Sequence, residues 1–474
     1  MLNTNGSYNF KADIFFPGLL LMTLISAVTL TWWQVEALKS LETWRLVQSW
    51  PAIKYLAVGL SCWTLLILSW RIWFACRYKP YAPLSDNALP TVTIVIPAYN
   101  EGSQILHTVR SVMNSRYPMK KMQVICVDDG SRDDTWVWMQ TAKQEFPWRM
   151  QLIRQPFNQG KRRALMAGFS RATGQVYVTI DSDSEVLPDT LRHLVSPLAG
   201  DPRVGAVAGN VRVLNLAEGF IPKMMEVSFT CGFDFIRSGQ SVYGGVFCTP
   251  GALSAYRSDV INPHLQDWIN QTFMGHHATI GEDRALTNLV LGCGFRVVYQ
   301  RKAVVLTKVP TNFTGLRRML LRWARSNVRE NLVMLSFLAG RFRPADSGGG
   351  WVRLFSATQF VRMTLGEAFK FAVMVQLLLT PVYALSMLAV ACIVSASLPA
   401  VVYQRRHGTW FGWRWAIPYS FYWLLCLYWI SLWGLLTASR SGWLTRGLAS
   451  AAPATRRSAP LPAAGTSRVF SRAA

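Results

Sequence analysis

No two of the eight cysteines stand in a C-x-x-C pair and most sit in apolar runs, so reduced, buried thiols are expected rather than a redox motif. Histidine is scarce at six, and His276 and His277 are adjacent instead of spaced as ligands along a helix, which argues against a zinc site. No internal repeat is visible. Acid is in short supply too: 25 Asp and Glu face 49 Lys and Arg, giving a net charge of +24. Such an excess suits anionic lipid headgroups, nucleic acid or a phosphate-rich substrate. Nucleic acid binding would leave the chain's clusters of acids unexplained. What the chain has in abundance is apolar mass. Hydrophobic residues at 51%, with 20 tryptophans among 474 residues, exceed the needs of a soluble core and favour a membrane class.

Residues 15–33 are nearly free of charge and, at about 1.5 Å per residue, long enough to cross a hydrocarbon layer of roughly 30 Å. They lack a basic n-region and a small-residue cleavage site, and a second apolar run comes soon after at 55–76, so the first is read as a retained span. Arg71, Arg77 and Lys79 place the region beyond the second run in the cytoplasm. From 91 to 310 the pattern becomes β-rich runs (92–96, 124–127, 176–180, 204–208) separated by polar, helix-compatible stretches, the alternation of an α/β domain. Residues 316–338 then mix Arg with Leu, Met and Trp at helical spacing, as in a helix lying on a membrane surface. Residues 371–403 have Pro381 near a break, and 415–437 form a clearer span. The expected layout is an N-terminal region (1–80) with two transmembrane helices, a cytoplasmic α/β domain (90–312), interfacial amphipathic helices (313–370), transmembrane segments (371–440) and a disordered basic tail (447–474).

Three of the apolar runs end in polar loops at what would be the carboxyl edge of the sheet, where open α/β sheets bind ligands. The first reaches Pro97-Ala98-Tyr99-Asn100-Glu101, the second Asp128-Asp129-Gly130-Ser131 and the third Asp181-Ser182-Asp183. Crowded acids repel unless neutralised, so Asp181 and Asp183 suggest a hard divalent ion, Mg²⁺ or Mn²⁺; a capped turn before the helix at Pro188 is the alternative for that tripeptide. Lys161, Arg162 and Arg163 suit phosphate oxygens or a solvated helix face. Glu282 and Asp283 both offer an ionised carboxylate that can accept a hydroxyl proton, and the residues alone do not separate them.

The ordered series VIPAYNE, VDDGSRDDT, NQGKRRAL, IDSDSE, GNVRVLN, GEDRALT and LRWARS resembles processive family 2 glycosyltransferases, in particular hyaluronan synthases and rhizobial chitooligosaccharide synthases. The likeness runs from Pro90 to about Glu330. It implies a GT-A type (Rossmann-like) cytoplasmic domain flanked by N- and C-terminal transmembrane helices in the plasma (inner) membrane. It also implies a UDP-sugar donor, UDP-GlcNAc with or without UDP-glucuronate, and a growing polysaccharide as acceptor beside membrane lipids. On this resemblance Tyr99, Asp128, Asp129, Lys161, Asp181 and Arg322 bind the donor, and Asp181 and Asp183 hold the metal. Asp283 is the general base and Trp323 lines the acceptor site. Met319 stands where the family's Gln-x-x-Arg-Trp motif has glutamine, which keeps open a nonprocessive transferase acting on a lipid carrier or short acceptor.

Overall fold

The computed structural model describes residues 51–340, 342–344, 348–379 and 381–440. Eight strands build one mixed sheet in the order β3-β2-β1-β4-β7-β6-β10-β5. Its first half is parallel. Strand β1 (Val92–Ala98) runs between β2 (Met122–Asp128) and β4 (Val176–Ile180), and β2 in turn pairs β3 (Met150–Arg154). Period-two alternation divides β1 between two cores: Ile94 and Ile96 face one apolar cluster and Val95 the other, so both faces of the sheet are covered. This explains why these strands read as nearly continuous Val and Ile.

The second half breaks the parallel pattern. Strand β5 (Ser184–Val186) forms an antiparallel edge, β6 (Val204–Val213) pairs β7 (Leu253–Arg257) antiparallel, and β10 (Arg296–Thr307) pairs β6 parallel. A separate two-stranded hairpin of β8 (Thr272–Phe273) and β9 (His276–His277) carries the adjacent histidines, both exposed.

Helix α1 (Pro51–Arg77) precedes the sheet and contains the whole 55–76 run. Helices α2 (Gln104–Met113), α3 (Thr135–Glu145), α4 (Lys161–Phe169) and α5 (Thr190–Gly200) follow β1, β2, β3 and β5. Helix α6 (Phe220–Phe229) passes without a break into a π-helical segment, Thr230–Ile236, and then α7 (Arg237–Val242). Helix α8 (Glu282–Gly292) follows a left-handed residue, Gly281, at φ 71°. Helix α9 (Phe313–Leu338) is rich in Leu, Met and Arg and starts where the Asn312 side chain accepts from the Gly315 N–H at 2.8 Å. The sequence places α9 on a membrane surface; here Leu316, Met319 and Leu320 pack into the core of the sheet domain, while Leu332 is exposed.

Helices α10 (Gly349–Leu379), α11 (Pro381–His407), α12 (Phe411–Tyr422) and α13 (Ile430–Leu436) complete the described chain, with a π-helical turn, Trp423–Leu427, after α12. Helix α10 carries straight through position 370, so the interfacial and apolar stretches are not separated there. Among the described residues one helical stretch, Leu388–His407, is long and apolar enough to cross a membrane. The clearer span expected over 415–437 is bent: Phe411–Leu427 and Ile430–Leu436 meet at 45°, because the helix is interrupted after its π-helical turn. The expected span at 15–33 and the tail at 447–474 lie outside the described residues.

Candidate active site

The carboxyl ends of β2, β1 and β4 lie side by side and open into a cavity of about 500 Å³. The loops after β1 and β2 are stitched together: Asn100, at φ 52°, donates its N–H to Ser131 Oγ at 3.0 Å and accepts from the Arg132 N–H at 2.9 Å. Asp129 accepts from the Gln159 and Gly160 N–H groups, each at 2.8 Å, which ties β2 to the start of α4. Burial nonetheless pushes its carboxyl up to about 6, against those two donors. Gly130, at φ 70°, is required for this approach, since a Cβ there would stand 2.5 Å from the Phe157 carbonyl carbon. Tyr99 and Asn158 line both this cavity and an adjoining hollow of about 520 Å³.

Asp128 takes a different place from its neighbour. It is fully buried off the cavity wall, accepts from the Ser131 N–H at 2.9 Å and pairs with Arg154 at 3.3 Å. At a strand end adjacent side chains point to opposite faces, so of the Asp-Asp pair only Asp129 is presented to the cavity.

Lys161, the first residue of α4, reaches between two chain-distant acids: it pairs with Asp181 and lies 3.0 Å from Glu282. Burial alone would lower its ammonium, but the two carboxylates outweigh it and hold it above its ordinary value. Gly251 makes the crossing feasible, because a Cβ there would stand 2.5 Å from Lys161 Nζ. Asp183 immediately precedes the edge strand β5, and its Oδ1 accepts from Ser184 Oγ at 3.2 Å and Thr307 Oγ1 at 3.3 Å.

Glu282 and Asp283 open α8 but face different surroundings. Burial opposes the charged form of Glu282, yet Lys161 and Arg322 outweigh it and hold it below the usual carboxylate range. Burial and the Glu282 charge push Asp283 up. Asp283 Oδ2 accepts from the Gly251 N–H at 3.3 Å, and its Oδ1 accepts from the Arg284 N–H at 2.8 Å. Buried Arg329 of α9 donates to the Ile280 carbonyl and to Glu330 Oε1, bracing the turn that carries both acids.

Arg322, Trp323 and Met319 of α9 line the same cavity. The Trp323 ring stands 6.2 Å from Phe229 and 6.3 Å from Phe233, so the wall beside it is aromatic. Of the site residues implied by the family resemblance, all but Asp128 meet in this cavity. Sequence reasoning did not find Phe229, Phe233, Arg237, Cys248 or Gly251. The Pro250-Gly251 dipeptide is a turn signal that marks part of this wall; the aromatic residues carry no local signature.

Asp181 and Asp183 fit a Mg²⁺- or Mn²⁺-type ion of the kind held by one or two carboxylates plus substrate phosphates, since both present hard oxygens to the cavity. No group of three or more His, Cys, Asp or Glu side chains gathers into an all-protein metal cage among the described residues.

Residues 93–265 match the family model described as Glycosyl transferase family 2. An N-acetylglucosaminyltransferase of Rhizobium meliloti (strain 1021) is 29% identical over 405 residues, spanning 83% of this chain and 92% of that protein. A hyaluronan synthase of Streptococcus pyogenes serotype M3 is 32% identical over 259 residues, 53% of this chain and 61% of that one. Among solved structures, the mannosyltransferase PcManGT from Pyrobaculum calidifontis, in complex with GDP-Man and Mn²⁺, superposes with a TM-score of 0.53 at 21% identity. That match covers 80% of this chain and 97% of the other, and it shows the fold.

Proposed function

We propose that this enzyme, whose residues 93–265 form a family 2 glycosyltransferase domain on a GT-A fold, is a membrane-embedded inverting transferase that moves sugar from a UDP-sugar to a growing polysaccharide. UDP-GlcNAc is the first donor to test, because the chain is similar over most of its length to a rhizobial N-acetylglucosaminyltransferase. The observation that carries the reading is a single cavity lined by Tyr99, Asp129, Lys161, Asp181 and Asp183 together with Asp283, Arg322 and Trp323.

In this reading the uridine lies against Tyr99 and Asp129, and Lys161 and Arg322 meet the diphosphate. Asp181 and Asp183 would hold a divalent ion, which when bound would supply further charge neutralisation for the leaving nucleotide. Asp283 accepts the proton of the acceptor hydroxyl as its oxygen attacks the anomeric carbon. Glu282 is engaged by Lys161 and is poorly placed to share that role. Trp323 offers a face to the acceptor sugar. Departure of UDP needs no second acid, so one displacement with inversion suffices.

Membrane embedding draws support from Leu388–His407 and from large apolar side chains exposed on the C-terminal helices, including Leu378, Leu425 and Leu436. A nonprocessive transferase is the second reading, favoured by Met319, an apolar side chain on the cavity wall beside Arg322. Incubating the full chain in lipid vesicles with single and paired UDP-sugars and sizing the products separates the two. Polymer supports the processive reading, a single added sugar supports the second, and no UDP release with any donor overturns both.

A further inference from the structure

The π-helical segment between α6 and α7 sets Phe229, Phe233 and Arg237 at intervals of four, and all three line the cavity. Short π-helical insertions recur at functional sites because they re-aim side chains at the expense of regular hydrogen bonding. On the opposite side the segment is anchored by Asp234, which pairs with Arg301 of β10 at 2.8 Å and Arg406 of α11 at 2.8 Å.

Arg237 is 5% exposed, and its guanidinium lies 4.2 Å from the centre of the Phe233 ring. Its Nη1 is buried without a hydrogen-bond partner, and it pairs with no carboxylate among the described residues. A buried cation with an unused donor is costly, and protein interiors rarely leave one. Burial accordingly holds the group below its ordinary value. It therefore sits on the aromatic wall, through Phe233 next to Trp323, in the cavity that Asp283 also lines.

We propose that Arg237 is a saccharide-contacting residue of the acceptor half of the cavity, donating Nη1–H to an oxygen of the terminal acceptor sugar while Phe233 and Trp323 pack against its ring. This rests on the transferase function proposed for the same cavity. The guanidinium is left unsatisfied by the protein because the sugar satisfies it, and its contact fixes the rotation of the ring so that one hydroxyl faces Asp283. A methionine there keeps the buried length and the packing on Phe233 but cannot donate.

The test uses the full chain in lipid vesicles, with UDP-GlcNAc as donor and an N-acetylchitotetraose acceptor, comparing Arg237→Met and Arg237→Lys with the unaltered protein. For Arg237→Met we expect the acceptor KM to rise tenfold or more, UDP affinity to stay within twofold, and the unfolding temperature not to fall. Arg237→Lys should recover part of the acceptor KM. An unchanged acceptor KM overturns the assignment while leaving the transferase reading intact. A lower unfolding temperature with an equal loss of UDP affinity identifies a structural residue and also overturns it. If the unaltered protein releases no UDP with any UDP-sugar, the transferase reading fails and the assignment falls with it.

Discussion

Replacing Gly281 with alanine should slow transfer by about two orders of magnitude, and the structure divides the damage into two parts. Gly281 sits at φ 71° and ψ 37°, a left-handed conformation that costs an L-residue about 1–2 kcal/mol. An added Cβ would also stand 2.5 Å from Ser326 Cβ and 3.0 Å from Arg329 Nη2. Overpacking of that kind costs about 1–3 kcal/mol. Together the two give roughly 2–5 kcal/mol of destabilisation. The clash is relieved only by moving the turn before α8 away from α9, which separates Asp283 from Arg322 and Trp323. A shift on the order of 1 Å between reacting groups reduces rate by about a hundredfold. The assay is UDP release at saturating donor and acceptor, with unfolding temperature measured in parallel. Ser326→Gly removes the opposing Cβ at a cost of about 0.5–1 kcal/mol in its own right. In the Gly281→Ala/Ser326→Gly double variant the 2.5 Å contact with Ser326 Cβ disappears while the dihedral strain and the approach to Arg329 stay, so the coupling between the two should be about 1–3 kcal/mol and favourable. Wild-type turnover in Gly281→Ala, or a double variant no more stable than additivity allows, would refute the close approach of this turn to α9.

Asp283→Asn should remove most turnover and leave UDP affinity nearly intact, since the amide keeps the shape but accepts no proton; kinetics and UDP titration in one preparation check this. Chelation should abolish transfer and added Mn²⁺ or Mg²⁺ should restore it, because Asp181 and Asp183 would otherwise face a diphosphate with only the Lys161 pair on Asp181 to offset their charge; full activity in excess EDTA would count against the metal. Asp129, pushed up to about 6, should lose its charge as pH falls through that value, so the donor KM should climb between about pH 7 and pH 5. The same shift acts on stability with the opposite sense. Between about 4 and 6 the folded chain binds more protons at Asp129 than the unfolded chain, so this residue's contribution to ligand-free stability increases as pH falls through the window. A donor KM flat across the interval, with Asp129→Asn as the control, would remove the assignment.

The strands that were legible are those whose burial is purely apolar. Runs at 92–96, 124–127, 176–180 and 204–208 all appear as strands, each equal to or longer than expected. Strand β7 was not legible because it is central yet polar: the Ser254 hydroxyl lies 2.7 Å from Thr179 Oγ1 of β4 and donates to the Tyr256 hydroxyl of its own strand at 3.1 Å, so its polar groups are satisfied inside the sheet. In β10 the Gln300-Arg301-Lys302 stretch breaks the apolar pattern, and the strand accommodates it with a register shift between Tyr299 and Val304. The acid-rich loops were visible because each is a short motif at a strand end. The aromatic wall was not, since Phe229 and Phe233 meet Trp323 from a distant part of the chain through a π-helical insertion that has no local sequence signal.

The two adjacent acids of α8 show why sequence reasoning halted where it did. As residue types they are interchangeable, and both sit in the first helical turn, so helix polarity favours the charged form of each alike. What divides them is the cross-chain neighbourhood. Lys161 arrives from α4 and Arg322 from α9 to hold Glu282 ionised and occupied, while burial and that charge raise the carboxyl of Asp283. Pairs of titratable groups whose surroundings drive them apart are the usual mark of divided roles. Here the division rests on two cations: with the Lys161 charge removed, Glu282 would keep Arg322 alone, and the contrast between the two acids would narrow. Lys161 therefore belongs to both halves of the proposed reaction. In that reaction it would face the diphosphate, and it acts on Asp283 in two ways, lowering it directly and steadying the Glu282 charge that raises it.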